Sequence, residues 1–322
     1  MTDGRRRVAA LAGAVLAVAA TLAAEWQAAG AARRELALRT ATTTAAYLSL
    51  VTPVARDTPP SLDARKLLIA VRALEALPGW TPTFEVYQGT APLVHGTAAP
   101  LPLLELLRLR FEGPRWTGGV ARAPLTLPGD RHAVGAVEVR APSGRGAPGT
   151  LTAFICFATL AAAARVATAA RNAARRALLI YAASSVVLGI AAYRDVWQAR
   201  RSATDRWLAD TRHLIQEAAA RSPKRLSRIT TVDFATLTAG AALVRTDSAG
   251  SLPRRRRWGG ETWAAVTARI GPGRWMELRT AAGEDGTGAW LPLLVGVALL
   301  GPLSGLARHY HRDGAVVQQS GP

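Results

Sequence analysis

Four stretches of this chain carry no charged residue: 8–24 (VAALAGAVLAVAATLAA), 147–164 (APGTLTAFICFATLAAAA), 177–193 (ALLIYAASSVVLGIAAY) and 287–307 (TGAWLPLLVGVALLGPLSGLA). Each has 17 to 21 residues, about the length a helix needs to cross a hydrocarbon core of roughly 30 Å. One such run is ordinary in the core of a soluble protein. Four, each flanked by charge, point to four membrane-spanning helices. The first also reads as a signal peptide, with Arg5, Arg6 and Arg7 as its basic leader. It is expected to stay as an anchor, for a reason that the repeat below supplies.

The flanking charges set an orientation. Residues 165–176 (RVATAARNAARR) hold four arginines and no acid. The leader and the tail after residue 307 are also basic, so all three are expected inside. The expected order is then a leader and first span over 1–24, an outer domain over 25–146, and a second span over 147–164. A basic inner loop (165–176), a third span (177–193), a second outer domain (194–286), a fourth span (287–307) and an inner tail (308–322) follow. Net charge is +18. In a soluble protein that excess would point to nucleic acid; with apolar residues so clustered much of it falls on the outer domains, and no nucleic acid is expected.

The two outer segments read as copies of one unit. Trp26-Gln27 recurs as Trp197-Gln198, and Pro53 as Pro223 after nearly the same interval. Between them Thr40, Thr43 and Tyr47, and then Trp207, Thr211, Leu214 and Ala218, fall on one helical face. Each proline ends its helix, having no amide to donate. Next, FEVYQGTAPLVHGTAAPLP (84–102) matches DFATLTAGAALVRTDSAGSLP (233–253), RWTGG (115–119) matches RWGG (257–260), and AVGAVEVRAPSG (133–144) matches RWMELRTAAG (274–283). These read as antiparallel strands around glycine turns. The unit is a span, a long helix, a small antiparallel sheet and a closing span. The first span's partner in the repeat is the third, which cannot be a leader; hence the expectation that the first is retained.

This arrangement, with its VYQGTAPLVHGT turn, resembles the extracytoplasmic Cache or PAS-like sensor modules of bacterial membrane receptors, here in tandem. The resemblance implies two α+β sensor domains outside a bacterial inner membrane, both termini cytoplasmic. It also implies signal transduction by a small shift of the long helix against the closing span. Such receptors continue into a kinase or other effector. Here RHYHRDGAVVQQSGP follows the last span, so output is expected through a separate partner protein, such as a signalling kinase, with the lipid bilayer as the other partner. A homodimer is compatible with this. The alternative is a scaffold or accessory subunit of a larger membrane complex, with no small ligand.

Candidate chemistry is sparse. Arg254, Arg255, Arg256 and Arg257 in LPRRRRW can hold carboxylates, phosphates or lipid headgroups. No single face of a regular element holds all four, so they are expected on an exposed loop. Trp258 beside Arg257, and Trp116 beside Arg115, stand near paired glycines as candidate pocket walls or as core. Glu138 and Glu277 recur on the last strand of each copy and are expected to face solvent. Cys156, the one cysteine, lies in an apolar run and reads as buried. His309 and His311 fall short of the roughly four ligands a structural metal site uses. No nucleophile–base grouping, phosphate-cradling loop or metal-ligand spacing is present, so no enzyme activity and no cofactor are expected.

Overall fold

The computed structural model describes residues 3–55, 60–77, 83–94, 98–127, 133–140, 150–168, 171–221, 241–246, 254–258, 261–281 and 290–303. The chain divides into two units. One comprises residues 1–30, 145–200 and 286–322; the other comprises 31–144 and 201–285. Two helices have residues in both: α1 (Asp3–Val51) and α5 (Arg171–Arg221).

The first unit is helical. It contains the start of α1, all of α4 (Thr150–Thr168), the start of α5 and α6 (Trp290–Leu303). Its interior is rich in small residues: Ala14, Ala28 and Ala192 are 0% exposed, as are Thr21, Thr152 and Ser185, beside the larger Leu188, Val196 and Leu294. Hydroxyls that would otherwise be stranded bond back to their own helix, Thr21 to the Ala17 carbonyl and Thr159 to that of Ile155, both at 2.8 Å. At Gly189 an added Cβ would stand 2.6 Å from the Val295 Cα, so α5 and α6 touch backbone to backbone. Other large apolar side chains point outward. Leu16, Phe154, Phe157 and Leu179 are each at least 70% exposed. Cys156 is buried against Val18, Leu188 and Ala191.

Two helices, over Leu11–Val51 and Arg176–Arg221, are long and apolar enough to cross a membrane. Thr152–Thr168 and Trp290–Leu303 are shorter apolar helices. Over the described residues the expected second and fourth spans are therefore the shorter apolar helices; 147–149 and 304–307 lie outside those residues. The expected inner loop 165–176 is helical at both ends, because α4 runs to Thr168 and α5 starts at Arg171. Alanine and arginine are strong helix formers, and they extend the helices into it.

The second unit holds two antiparallel sheets, each packed against the later parts of α1 and α5. The first sheet has the order β2 (Ala91–Pro92), β1 (Phe84–Gln88), β5 (Ala133–Arg140), β4 (Val120–Thr126), β3 (Arg115–Thr117). Ala121, Ala123 and Leu125 alternate inward along β4. They join Ala37, Ala41, Ala45 and Leu48 of α1, at helical spacing, and Leu214 and Ala218 of α5. A short helix, α2 (Ala64–Glu75), completes this core with Leu67, Val71 and Leu74. It starts where Asp63 accepts the Lys66 amide at 3.0 Å, an N-cap interaction of about 1 kcal/mol. Helix α3 (Leu103–Glu112) covers the opposite face of the sheet, with Leu109 against Tyr87 and Ala136. Between β3 and β4 both Gly118 and Gly119 have positive φ, at 60° and 88°, as a two-residue hairpin turn of this hand requires.

The second sheet has the order β6 (Ala241–Thr246), β9 (Arg274–Ala281), β8 (Glu261–Gly271), β7 (Arg254–Trp258). Ala264, Val266 and Ala268 of β8, with Met276 and Leu278 of β9, pack on Trp207, Leu208 and Ile215 of α5. Four strands of the first sheet, β1-β5-β4-β3, and the four of the second share one order: first, last, third, second.

Two sequence expectations are corrected here. The sequence match sets 241–246 opposite 91–96, whereas β6 takes the place beside β9 that β1 takes beside β5. Backbone pairing, not side-chain likeness, decides the equivalence; residues 233–240 and 247–253 lie outside the described set. The arginine run is a strand, not a loop: Arg254 pairs with Ala265, Arg255 with Ala264, Arg256 with Trp263 and Arg257 with Thr262. An edge strand is hydrogen-bonded on one side only, and the arginine that turns inward has a partner, as described below.

Candidate functional site

The first sheet carries a row of charge across its α3-facing side. In register, Glu85 of β1 stands opposite Glu138 of β5, Glu138 opposite Arg122 of β4, and Arg122 opposite Arg115 of β3. Cross-strand partners share a face, so two carboxylates and two guanidiniums line up across four strands. The row is largely buried: Glu85 is 9% exposed and Glu138 6%. Glu138 is therefore not the solvent-facing strand residue expected from sequence. It is shielded because α3 lies over it.

Each charge in the row is engaged. The Arg122 Nε donates to Glu138 Oε2 at 2.9 Å, and its second guanidinium nitrogen lies 2.8 Å from the same oxygen. Glu105, reaching down from α3, is 3.9 Å from Arg122 and 3.4 Å from Arg108. Glu85 accepts the Val94 amide at 2.9 Å, and Arg115 pairs with Glu112 at 3.0 Å. Tyr87 faces the same side as Glu85. Burial pushes its phenol pKa up, and the charges of Glu138 and Glu85 push it further. Glu105 is the looser partner of Arg122, so an anion entering this row would compete with α3 for that guanidinium.

The second sheet has the scaffold without the row. The residues in register there are Val244, Glu277 and Thr267. Glu277 keeps its acid and pairs with Arg279 of its own strand.

The other sequence candidates fall in separate places. Arg255 turns toward α5, where it lies 3.0 Å from Asp205, while Arg254 is exposed. Arg256, Arg257 and Trp258 continue the strand. Trp116 is partly buried against the first core, with the Arg34 guanidinium 6.0 Å from its ring centre. Trp116 and Trp258 are not register equivalents: Trp258 directly precedes its glycine pair, and Thr117 stands between Trp116 and the other pair. Arg115 thus belongs to the charge row, Trp116 lies on the opposite face of the same sheet, and the arginine strand belongs to the other sheet. His309 and His311 lie outside the described residues. Among the described residues no group of three or more His, Cys, Asp or Glu is placed to hold a metal ion.

Sequence reasoning missed Arg122, Glu85 and Glu105. A charged residue at the centre of an alternating run, as in FEVYQ and VARAPLT, is the signal that marks the first two. It also missed three residues of the helical unit. The Thr152 hydroxyl donates to Asp195 at 2.6 Å, and Glu25 is 8% exposed with its Oε2 lacking a hydrogen-bond partner among the described residues.

No family model, curated protein or solved structure matches this chain.

Proposed function

We propose that the chain is a multi-pass membrane protein that carries two related sheet domains outside a bacterial inner membrane and binds or senses there, passing its state to a separate partner. One observation carries this reading: the helical unit packs through alanine, serine and threonine together with Leu188, Val196 and Leu294, and still turns Leu16, Phe154, Phe157 and Leu179 outward. In water that outward display is costly, at about 25 cal/mol per Å² of exposed apolar surface. In lipid it is the ordinary pattern, because small residues allow close helix contact and lipid tails receive the large ones. In this reading α4 and α6, extended by the apolar residues beside them, complete four spans. The shared strand order of the two sheets supports descent from one duplicated unit. Within the first sheet, Arg122 and its loose partner Glu105 are the groups able to answer an anionic ligand by a shift of α3.

Single cysteines read with an impermeant thiol reagent in intact cells test this, in a Cys156→Ala background. Ser143→Cys and Ser248→Cys should label, while Ala173→Cys and Ala315→Cys stay shielded until the cells are lysed. Labelling of position 315 with protection of position 248 overturns the orientation and the external sensing with it. Native mass spectrometry of the full chain in mild detergent then separates the two outputs. A retained small molecule supports sensing. A stoichiometric protein with no small molecule favours the scaffold.

A further inference from the structure

Helix α3 presents an apolar stripe that nothing covers among the described residues. Leu103, Leu104 and Phe111 are 63%, 59% and 78% exposed, and Leu107 is 39% exposed. At about 100° per residue, Leu103, Leu107, Phe111 and Leu104 fall in order across roughly a quarter of the helix circumference. The other side of the helix is already used, with Leu109 buried against the sheet and Glu105 turned to Arg122.

The stripe's flanks show what it fits. Arg110 falls just beyond Leu103 on one side, and Arg108 just beyond Leu104 on the other; both are exposed. Arg110 also lies 5.6 Å from the Phe111 ring. The helix's two carboxylates lie away from the stripe and are engaged, Glu105 by Arg122 and Arg108, Glu112 by Arg115. A second copy of the chain packing stripe on stripe would bring guanidiniums together with no acid between them. A surface of anionic lipid headgroups complements the same pattern. Leucine and phenylalanine enter the acyl boundary, and long basic side chains reach back to the phosphates.

We propose that α3 is an in-plane membrane helix, seating the first sheet domain on an anionic bilayer surface through Leu103, Leu104, Leu107 and Phe111, with Arg108 and Arg110 on phosphates. The proposal rests on the membrane reading above. Because α3 also holds Glu105, the lipid contact and the buried charge row share one helix.

The test uses the full chain with Cys156→Ala, reconstituted in vesicles of phosphatidylcholine and phosphatidylglycerol. Nitroxide labels go on Leu104→Cys, Phe111→Cys, Glu112→Cys and, in the helical unit, Phe157→Cys. Collision with oxygen and with a water-soluble nickel chelate is measured. Labels at 104 and 111 should be several-fold less accessible to the chelate than the label at 112. Adding Arg108→Gln and Arg110→Gln should raise chelate access at 104 several-fold. A water-exposed label at 111 beside a lipid-exposed label at 157 overturns the α3 proposal and leaves the membrane reading standing. A water-exposed label at 157 overturns the membrane reading itself. Protection at 111 with spin coupling between copies assigns the stripe to a dimer and overturns the lipid assignment. Protection unchanged by the arginine substitutions overturns the headgroup assignment.

Discussion

Glu85 and Glu138 stand directly opposite one another on neighbouring strands, both nearly out of reach of water. Like charges in that position repel. They are tolerated because Arg122 holds Glu138 and the Val94 amide holds Glu85. Removing one partner of a buried pair leaves an uncompensated charge, at a cost of about 3–5 kcal/mol. Arg122→Met should therefore lower the unfolding midpoint of the full chain in detergent by several degrees. Arg122→Met with Glu138→Leu should recover most of the loss. No recovery in the double variant would mean that Arg122 acts through Glu105 rather than Glu138.

Gly189 makes a second prediction. An added Cβ there meets the Val295 backbone, whereas nothing lies within 4 Å of one at Gly296. Gly189→Leu should cost about 1–3 kcal/mol by overpacking, while Gly296→Ala changes little. Thermal unfolding with a probe on α6 distinguishes them. Equal effects would show that α5 and α6 are not in close contact.

Asp210 sets a pH dependence. It is 8% exposed, and burial lifts its pKa from 3.8 to about 7, partly opposed by Arg206. The folded chain thus holds this proton more tightly than the unfolded chain. Below pH 4 both states are protonated and the residue costs little. Between about pH 4 and 7 stability falls as pH rises, and above 7 the full cost remains. Asp210→Asn should flatten that slope and stabilise the protein at pH 8, by an amount on the order of a few kcal/mol. A slope that survives the substitution would assign it to another group.

The arginine strand separates into unequal members. Arg255→Gln loses the pairing with Asp205, in a half-buried setting worth about 1 kcal/mol at most. Arg254→Gln should fall within about 0.5 kcal/mol of the parent. Chemical denaturation of the two single variants checks the order, and a larger effect at Arg254 contradicts the register.

Much of the scaffold could be read in advance because it depends on local pattern. The apolar runs around Val18 and Leu188, the one-faced helix through Thr40, Thr43 and Tyr47, and the alternation along β4 and β5 each declare themselves within about a dozen residues. Helix α2 did so too, with Leu67, Ala70, Val71 and Leu74 at helical spacing behind Asp63, but it has no counterpart in the repeat and was passed over. Helix α3 is harder, since its leucines go most of the way round and leave no clean period. The charge row was out of reach for another reason. Glu85, Glu138 and Arg122 meet only through strand register, which brings residues 53 and 16 positions apart into line. Four consecutive arginines cannot share one face, which points to a loop; the strand is possible because Arg255 finds Asp205, 50 residues away in the sequence.

The place of that run in the second sheet has a consequence of its own. Among the described residues strand β7 ends the sheet, and a terminal strand offers its backbone to any other chain that arrives in extended form. Arg254 is exposed on this strand, so any such chain would have to approach its charge, and a second copy would bring another. A charge at such an edge opposes fibre-like growth, so Arg254→Gln should show first as aggregation at high protein concentration rather than as lost fold.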